Sequence, residues 1–187
     1  MKNLGTKTIE TNRLILRPFS LEDASEMYDN WASDSEVTKY LTWPTHSSID
    51  ISKKVIQSWI SEYSKEDYYQ WCIEWKENHE AIGSISAVHL NEAIGAVEVG
   101  YCIGRKYWNK GITSEALLAF IRFFFDEVGA NRIEARHDTN NPISGKVMKK
   151  CGLEFEGIHK QADKNNTGIC DMAYYGILVS DYRKSIN

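Results

Sequence analysis

No run of apolar residues in this chain approaches the roughly 18 consecutive positions of a membrane-spanning helix. The N-terminus also lacks a long apolar segment, so a soluble, cytoplasmic protein with no membrane partner is expected. Cysteine is sparse. Cys72, Cys102, Cys151 and Cys170 are widely separated, form no Cys-x-x-Cys pair and have no histidine at zinc-ligand spacing. Reduced thiols and no bound metal follow. The five histidines are scattered without a carboxylate or metal partner at telling spacing. A basic surplus is missing too: 22 Lys and Arg against 26 Asp and Glu give a net charge of −4. That balance argues against non-specific nucleic-acid binding and suits a cationic substrate. Repeats, linkers and low-complexity tracts are absent. At 187 residues and 42% hydrophobic content, the chain is long enough for one well-buried core and too short for two full domains. A single domain over 1–187 is expected, with its core at about 8–182.

Local patterns supply the elements. Arg13-Leu-Ile-Leu-Arg17 has strand character and stops at Pro18; Ser20 and Asp23 then stand where a helix cap would, before Ala24, Met27, Tyr28 and Trp31 at helical spacing. A short helix is expected over Glu36 to Leu41, and another from Ser48 or Asp50 to about Ser64. Tyr69, Trp71, Ile73 and Trp75 alternate with Gln70, Cys72 and Glu74, the period of a strand. Further strands are read over Ile82 to Leu90, Ala96 to Ile103, Arg132 to His137, Leu153 to His159 and Ile169 to Leu178. They make an α/β fold, a mixed sheet of about seven strands flanked by helices.

The most informative stretch is Val99 to Ala116, a strand that leaves Gly104 through the polar cluster Arg105 to Lys110 and enters a helix. That helix shows apolar residues at Ala116, Leu117, Phe120, Ile121, Phe124, Phe125 and Val128 and stops at Gly129. Between strand and helix lies Asn109-Lys-Gly-Ile-Thr113. A glycine there lets backbone approach a ligand, and the N–H groups of a first helical turn attract anionic oxygens. The alternative is that Gly111 only shapes a turn. Neither Gly-x-Gly-x-x-Gly nor a Walker loop is present.

Trp108-Asn-Lys-Gly-Ile-Thr113 resembles the pyrophosphate-binding motif of the Gcn5-related N-acetyltransferase (GNAT) superfamily, with Gly111 the position that matches without departure. Asn141-Pro-Ile-Ser144, followed by Val147 to Gly157 and by Lys160-Gln-Ala-Asp163, is similar to the signature of the branch that acetylates ribosomal-protein N-termini. With Thr11-Asn-Arg-Leu-Ile-Leu-Arg-Pro18 the likeness spans nearly the whole chain. It implies acetyl-CoA as co-substrate and a strand, Val99 to Ile103, that splays from its neighbour to hold it. Backbone groups near Cys102 and Ile103, together with Trp108, Asn109, Lys110, Gly111, Ile112, Thr113, Ser114, Asn141 and Ser144, would contact the coenzyme. The implied acceptor is a primary amine, a protein N-terminal α-amine or a small molecule such as a polyamine, amino acid or aminoglycoside. A non-catalytic coenzyme A-binding module is the rival class, and family members occur as monomers and homodimers.

Direct attack of an amine on a thioester needs a neutral amine, a polarised carbonyl and a hydrogen-bond donor for the departing thiolate. An α-amine has a pKa of about 8, so a weak base suffices. Ser144 is the residue the resemblance nominates for the thiolate, by hydrogen bonding rather than proton donation. Asn141, Pro142 and Ser144 also make a well-formed helix start that needs no ligand. Two carboxylates compete as base. Glu98 sits on a strand expected to be buried, where a carboxylate calls for function or an ion pair. Asp163 matches the family's acidic position but also fits a solvated hairpin with Lys164-Asn-Asn-Thr-Gly168. Cys102 reads as a small buried filler. Tyr40, Trp43, Trp59, Tyr63, Trp71 and Tyr101 are candidates to line an acceptor pocket.

Overall fold

The computed structural model describes residues 1–186. Eight strands form one sheet: β1 (Ile9–Glu10), β2 (Leu14–Arg17), β3 (Gln70–Trp75), β4 (Glu80–Asn91), β5 (Ala96–Ile103), β6 (Arg132–Asp138), β7 (Glu154–Asn165) and β8 (Gly168–Leu178). Their spatial order is β1-β2-β3-β4-β5-β6-β8-β7. Every neighbouring pair is antiparallel except β5 and β6, which run parallel. The strand beyond the seven expected is β1, whose two residues are too few to show any alternation.

Helices cover both faces, which is why β3 is buried at successive positions rather than at every second one. On one face lie α1 (Ala24–Met27), running into a π-helical turn at Tyr28–Ala32, α2 (Ser35–Thr38) and α3 (Ile49–Glu62). They pack Phe19, Met27, Trp31 and Ile56 against Cys72, Ala81 and Cys102. On the other face α4 (Ile112–Arg122), extended by a π-helical segment at Phe123–Val128, lies beside α5 (Pro142–Lys150) and α6 (Val179–Ile186). Trp71 belongs to this second core. It is fully buried, meets Phe120 and Phe123 edge-on at 6.0 and 5.6 Å, and donates its indole N–H to the Lys7 carbonyl. Its place among the pocket aromatics is therefore corrected.

Two boundaries differ from the sequence reading for tertiary reasons. The helix expected over Glu36 to Leu41 ends at Thr38. The carbonyls of Thr38 and Leu41 turn to accept hydrogen bonds from Asn166 in the β7–β8 turn, at 2.8 and 3.2 Å. The strand expected to end at His159 runs on to Asn165 through two bulges, one between Phe155 and Gly157 and one between His159 and Asp163. Gln161, at φ +51°, anchors the second bulge by its N–H to Asp171 Oδ1 (2.8 Å). Extra residues in a bulge break the two-residue alternation that a strand shows in sequence. Asp163 pairs with Cys170 in the ladder, with two further rungs before the tight turn at Asn166 and Thr167, so the hairpin read over Lys164 to Gly168 is present.

A buried ionic cluster ties β2 and β3 to the chain entering α1. Arg17 Nη1 and Nη2 donate to the two Asp23 oxygens at 2.8 Å each, and Arg17 Nε donates to Glu74. His79 Nδ1 lies 2.7 Å from the other Glu74 oxygen. The Asp23 side chain is 5% exposed and that of Glu74 8%, so each depends on the arginine for its charge to be tolerated.

Candidate active site

The parallel ladder of β5 and β6 has three rungs, Ala96 with Arg132, Val97 with Ile133 and Glu98 with Glu134. Beyond Glu98 the two strands part. β5 continues to Ile103 paired only with β4 on its other side, so residues 99–103 present one backbone edge to a gap. Of the free groups expected there, the Ile103 carbonyl is taken by the Trp108 indole N–H at 2.9 Å. Cys102 is buried, and burial pushes its thiol up to about 12. An unionised thiol without a basic neighbour is packing, not a nucleophile.

The start of α4 stands beyond the end of β5. Asn109 and Gly111 both adopt left-handed backbone, φ +60° and +74°. The first intrahelical bond runs from Glu115 N–H to the Gly111 carbonyl (3.0 Å), so the N–H groups of Ile112, Thr113 and Ser114 precede it, and no side chain caps them. Two cations flank this turn. A Cβ built on Gly111 would face Arg13 Nη2 at 3.7 Å and Lys150 Nζ at 3.9 Å. Bare amides at the head of an eleven-residue helix, with two basic side chains beside them, fit a pyrophosphate. Ile112 is 1% exposed, with its side chain in the core. Ser114 is also buried, its carbonyl accepting from Cys151 Sγ (3.5 Å).

Arg13 is a site residue that the sequence reading missed. It donates from Nε to Glu115 Oε2 (2.7 Å) and from Nη1 to the Lys110 carbonyl (3.0 Å), bracing the turn from the position just before β2. Partners about a hundred positions apart leave no local signal.

Across the gap, α5 places Ser144 in its first turn. Ser144 Oγ lies 2.9 Å from the Tyr101 hydroxyl on the free stretch of β5. Asn141 occupies the N-cap position, and its side chain makes no capping hydrogen bond. Pro142 and the left-handed Gly152 (φ +90°) bound the helix as expected.

On the opposite face of the sheet, the two competing carboxylates meet at one residue. Arg136 Nε donates to Glu98 Oε1 (2.7 Å), and Arg136 Nη1 lies 3.1 Å from Asp163 Oδ2. Burial lowers the Arg136 pKa, but the hydrogen bond and charge of Glu98, with Tyr174 and Asp163 added, together outweigh it and the net shift is upward. One cation between two anions leaves a negative charge in excess. Arg132 serves Glu134 and Glu156 in the same way. The strand-period alternation of Arg132, Glu134 and Arg136 was visible in the sequence; their partners were not. Nearby, Asn166 Nδ2 also donates to the Trp43 carbonyl (2.8 Å), tying the β7–β8 turn to the loop after α2.

Among the described residues no group of three or more His, Cys, Asp or Glu could hold a metal ion, and no helix is long and apolar enough to cross a membrane. A parted parallel strand pair with an anion-ready helix start is the frame of an acetyl-CoA-dependent N-acetyltransferase. The family model described as an acetyltransferase (GNAT) domain matches residues 13–154, and the chain belongs to that family. It is 32% identical over 177 residues to the uncharacterized N-acetyltransferase p20 of Bacillus licheniformis, covering 94% of this chain and 98% of that one. Similarity to the ribosomal-protein-serine acetyltransferase of Escherichia coli is 27% over 140 residues, 74% and 77% of the two chains. Its fold matches the structure of RimL, the ribosomal L7/L12 α-N-protein acetyltransferase in complex with coenzyme A, with a TM-score of 0.81 at 20% identity over 94% of this chain and 99% of that one.

Proposed function

We propose that this acetyltransferase acts on a protein N-terminal α-amine, such as that of a ribosomal protein, in a ternary complex, with the whole chain serving as one catalytic domain. The observation that carries the reading is the ladder that stops at Glu98 and Glu134, with the bare start of α4 on one side of the gap and Ser144 on the other. The printed activity of the ribosomal-protein-serine acetyltransferase relative supports the acceptor class. Acetyl-CoA supplies the thioester: the amine nitrogen bonds to its carbonyl carbon, the carbon–sulfur bond breaks, and the amine proton leaves to base or solvent.

The residues divide the work. Trp108, Asn109, Lys110, Gly111, Ile112, Thr113 and Ser114 form the phosphate turn. The edge at Cys102 and Ile103, with Asn141, takes the pantetheine arm. Ser144 donates a hydrogen bond to the departing sulfur, and the Glu98–Arg136–Asp163 group faces the acceptor. Its surplus negative charge attracts the amine in its protonated form, and a carboxylate or a water held by it takes the proton. Four buried, unpaired cysteines support a reducing, cytoplasmic setting. Edge strand β7, with Phe155 and Ile158 about half exposed, is where two copies would pair as a homodimer.

Peptides beginning with Ser or Ala and small amines, incubated with acetyl-CoA and read by mass spectrometry, test the acceptor. Acetylation of the peptide α-amine is expected; acetylation of polyamines, amino acids or aminoglycosides alone would replace this acceptor, and no turnover with intact coenzyme affinity would favour a non-catalytic module. Ser144→Ala is expected to lower kcat about tenfold or more with little change in acetyl-CoA affinity. Comparing Glu98→Gln with Asp163→Asn separates the carboxylates. The residue nearer the amine should cost kcat on the order of a hundredfold and the other much less, and equal small effects would remove both from proton transfer.

A further inference from the structure

We propose that Tyr101 is a positioning residue for the departing sulfur, its hydroxyl holding Ser144 so that the serine O–H is presented to the gap between β5 and β6. The inference rests on the role given above to Ser144.

Tyr101 lies on the stretch of β5 that has left β6, and it reaches α5 across the gap. Its hydroxyl is 2.9 Å from Ser144 Oγ and 3.3 Å from the Ser144 carbonyl. A serine in the first turn of a helix has other destinations for its proton, notably backbone carbonyls. When the phenol donates to Ser144 Oγ, it fixes the serine rotamer and leaves the serine O–H as the outward donor. A hydroxyl that accepts one hydrogen bond also donates a stronger one. Tyr101 keeps its proton at neutral pH, since burial, partly offset by the hydrogen bond with Ser144, pushes its pKa above the ordinary phenol value.

The other polar groups against this turn do not compete. A Cβ on Gly145 would lie 2.6 Å from His137 Nε2 on β6 and 2.8 Å from the Tyr175 hydroxyl on β8, so both face the residue after Ser144. His137 Nδ1 lies 2.7 Å from the Asp138 carbonyl. A carbonyl only accepts, so Nδ1 donates to it, and Nε2 is buried without a partner. No hydrogen bond joins His137 or Tyr175 to Ser144, whose Oγ meets Tyr101. As the carbon–sulfur bond breaks, its electron pair moves to sulfur and is met by the Ser144 O–H. Tyr101 and Ser144 both keep their protons, and the thiolate is later protonated from solvent.

The ionisation of coenzyme A thiol bound to the protein tests this without an acceptor. Thiolate formation is followed by ultraviolet difference absorbance against bound desulfo-coenzyme A as the pH is raised. A donor aimed at sulfur stabilises the thiolate, so the wild-type complex should ionise at lower pH than the Ser144→Ala complex. The expected difference is about tenfold in the acid dissociation constant. Tyr101→Phe, which keeps the ring and its packing, should shift the constant in the same direction by at least about threefold, with coenzyme affinity at low pH unchanged within about twofold. Added to Ser144→Ala it should shift nothing more. A purely structural Tyr101 would change affinity or thermal stability and leave the thiol constant alone. If Ser144→Ala moves the constant and Tyr101→Phe does not, or if the two shifts add, the inference fails by itself. If neither variant moves it, the assignment of Ser144 falls as well.

Discussion

Gly111→Val should weaken coenzyme A binding on the order of a hundredfold in calorimetric titration, while the protein remains folded. Two effects act together. The left-handed backbone at φ +74° costs a β-branched residue about 1–3 kcal/mol wherever it occurs. The new methyl groups would also enter the space between Arg13 Nη2 and Lys150 Nζ, where a phosphate would sit against the amides of α4. Losing two charge-assisted hydrogen bonds there accounts for the factor of about a hundred. Gly111→Ala separates the causes, since it brings the strain with a smaller intrusion and should fall between wild type and Val. Affinity within about twofold of wild type in the Val variant would show that this turn binds no phosphate.

Arg17→Met should destabilise the fold by about 3–5 kcal/mol, read as a lower midpoint of urea unfolding at constant slope. The arginine leaves behind two carboxylates, Asp23 and Glu74, whose side chains are 5% and 8% exposed. Uncompensated charge at that burial is what makes the loss large. Adding Asp23→Asn and Glu74→Gln to the same variant removes the stranded charges and should recover part of the loss. A single-variant cost below about 1 kcal/mol would place this cluster with ordinary surface ion pairs.

The same cluster carries a pH dependence. Burial raises the Glu74 pKa, but the hydrogen bonds and charges of Arg17 and His79 together outweigh it and hold the carboxyl below the ordinary value. A depressed folded pKa means that the unfolded chain takes up the proton first as pH falls. The stabilisation is therefore complete above the unfolded glutamate value of about 4 and is lost as pH drops below it through the folded pKa. In Arg17→Met this part of the acid sensitivity should diminish.

Much of the fold was legible because its signals are local. Alternation at Tyr69 to Trp75, helical spacing from Ala116 to Val128, and left-handed glycines at 129 and 152 depend on neighbours a few positions away, and the structure has them where the pattern put them. The bulged length of β7 was not legible, since its extra residues only make sense opposite β8. The stop at Thr38 depends on a hydrogen bond from Asn166, 128 positions on.

By itself the sequence determined that the chain is an α/β protein whose strand ends in a glycine turn before an amphipathic helix, with a second helix start at Asn141-Pro-Ile-Ser144. Those features are written in backbone preference and hydrophobic period, which act over one or two turns of chain. Only the tertiary structure decided what stands beside them: Arg13 and Lys150 at the turn, Tyr101 on Ser144, and Arg136 between Glu98 and Asp163. Hydrogen bonds and ion pairs need atoms within about 3 Å, and separations of tens of residues along the chain say nothing of that until the sheet has set its register.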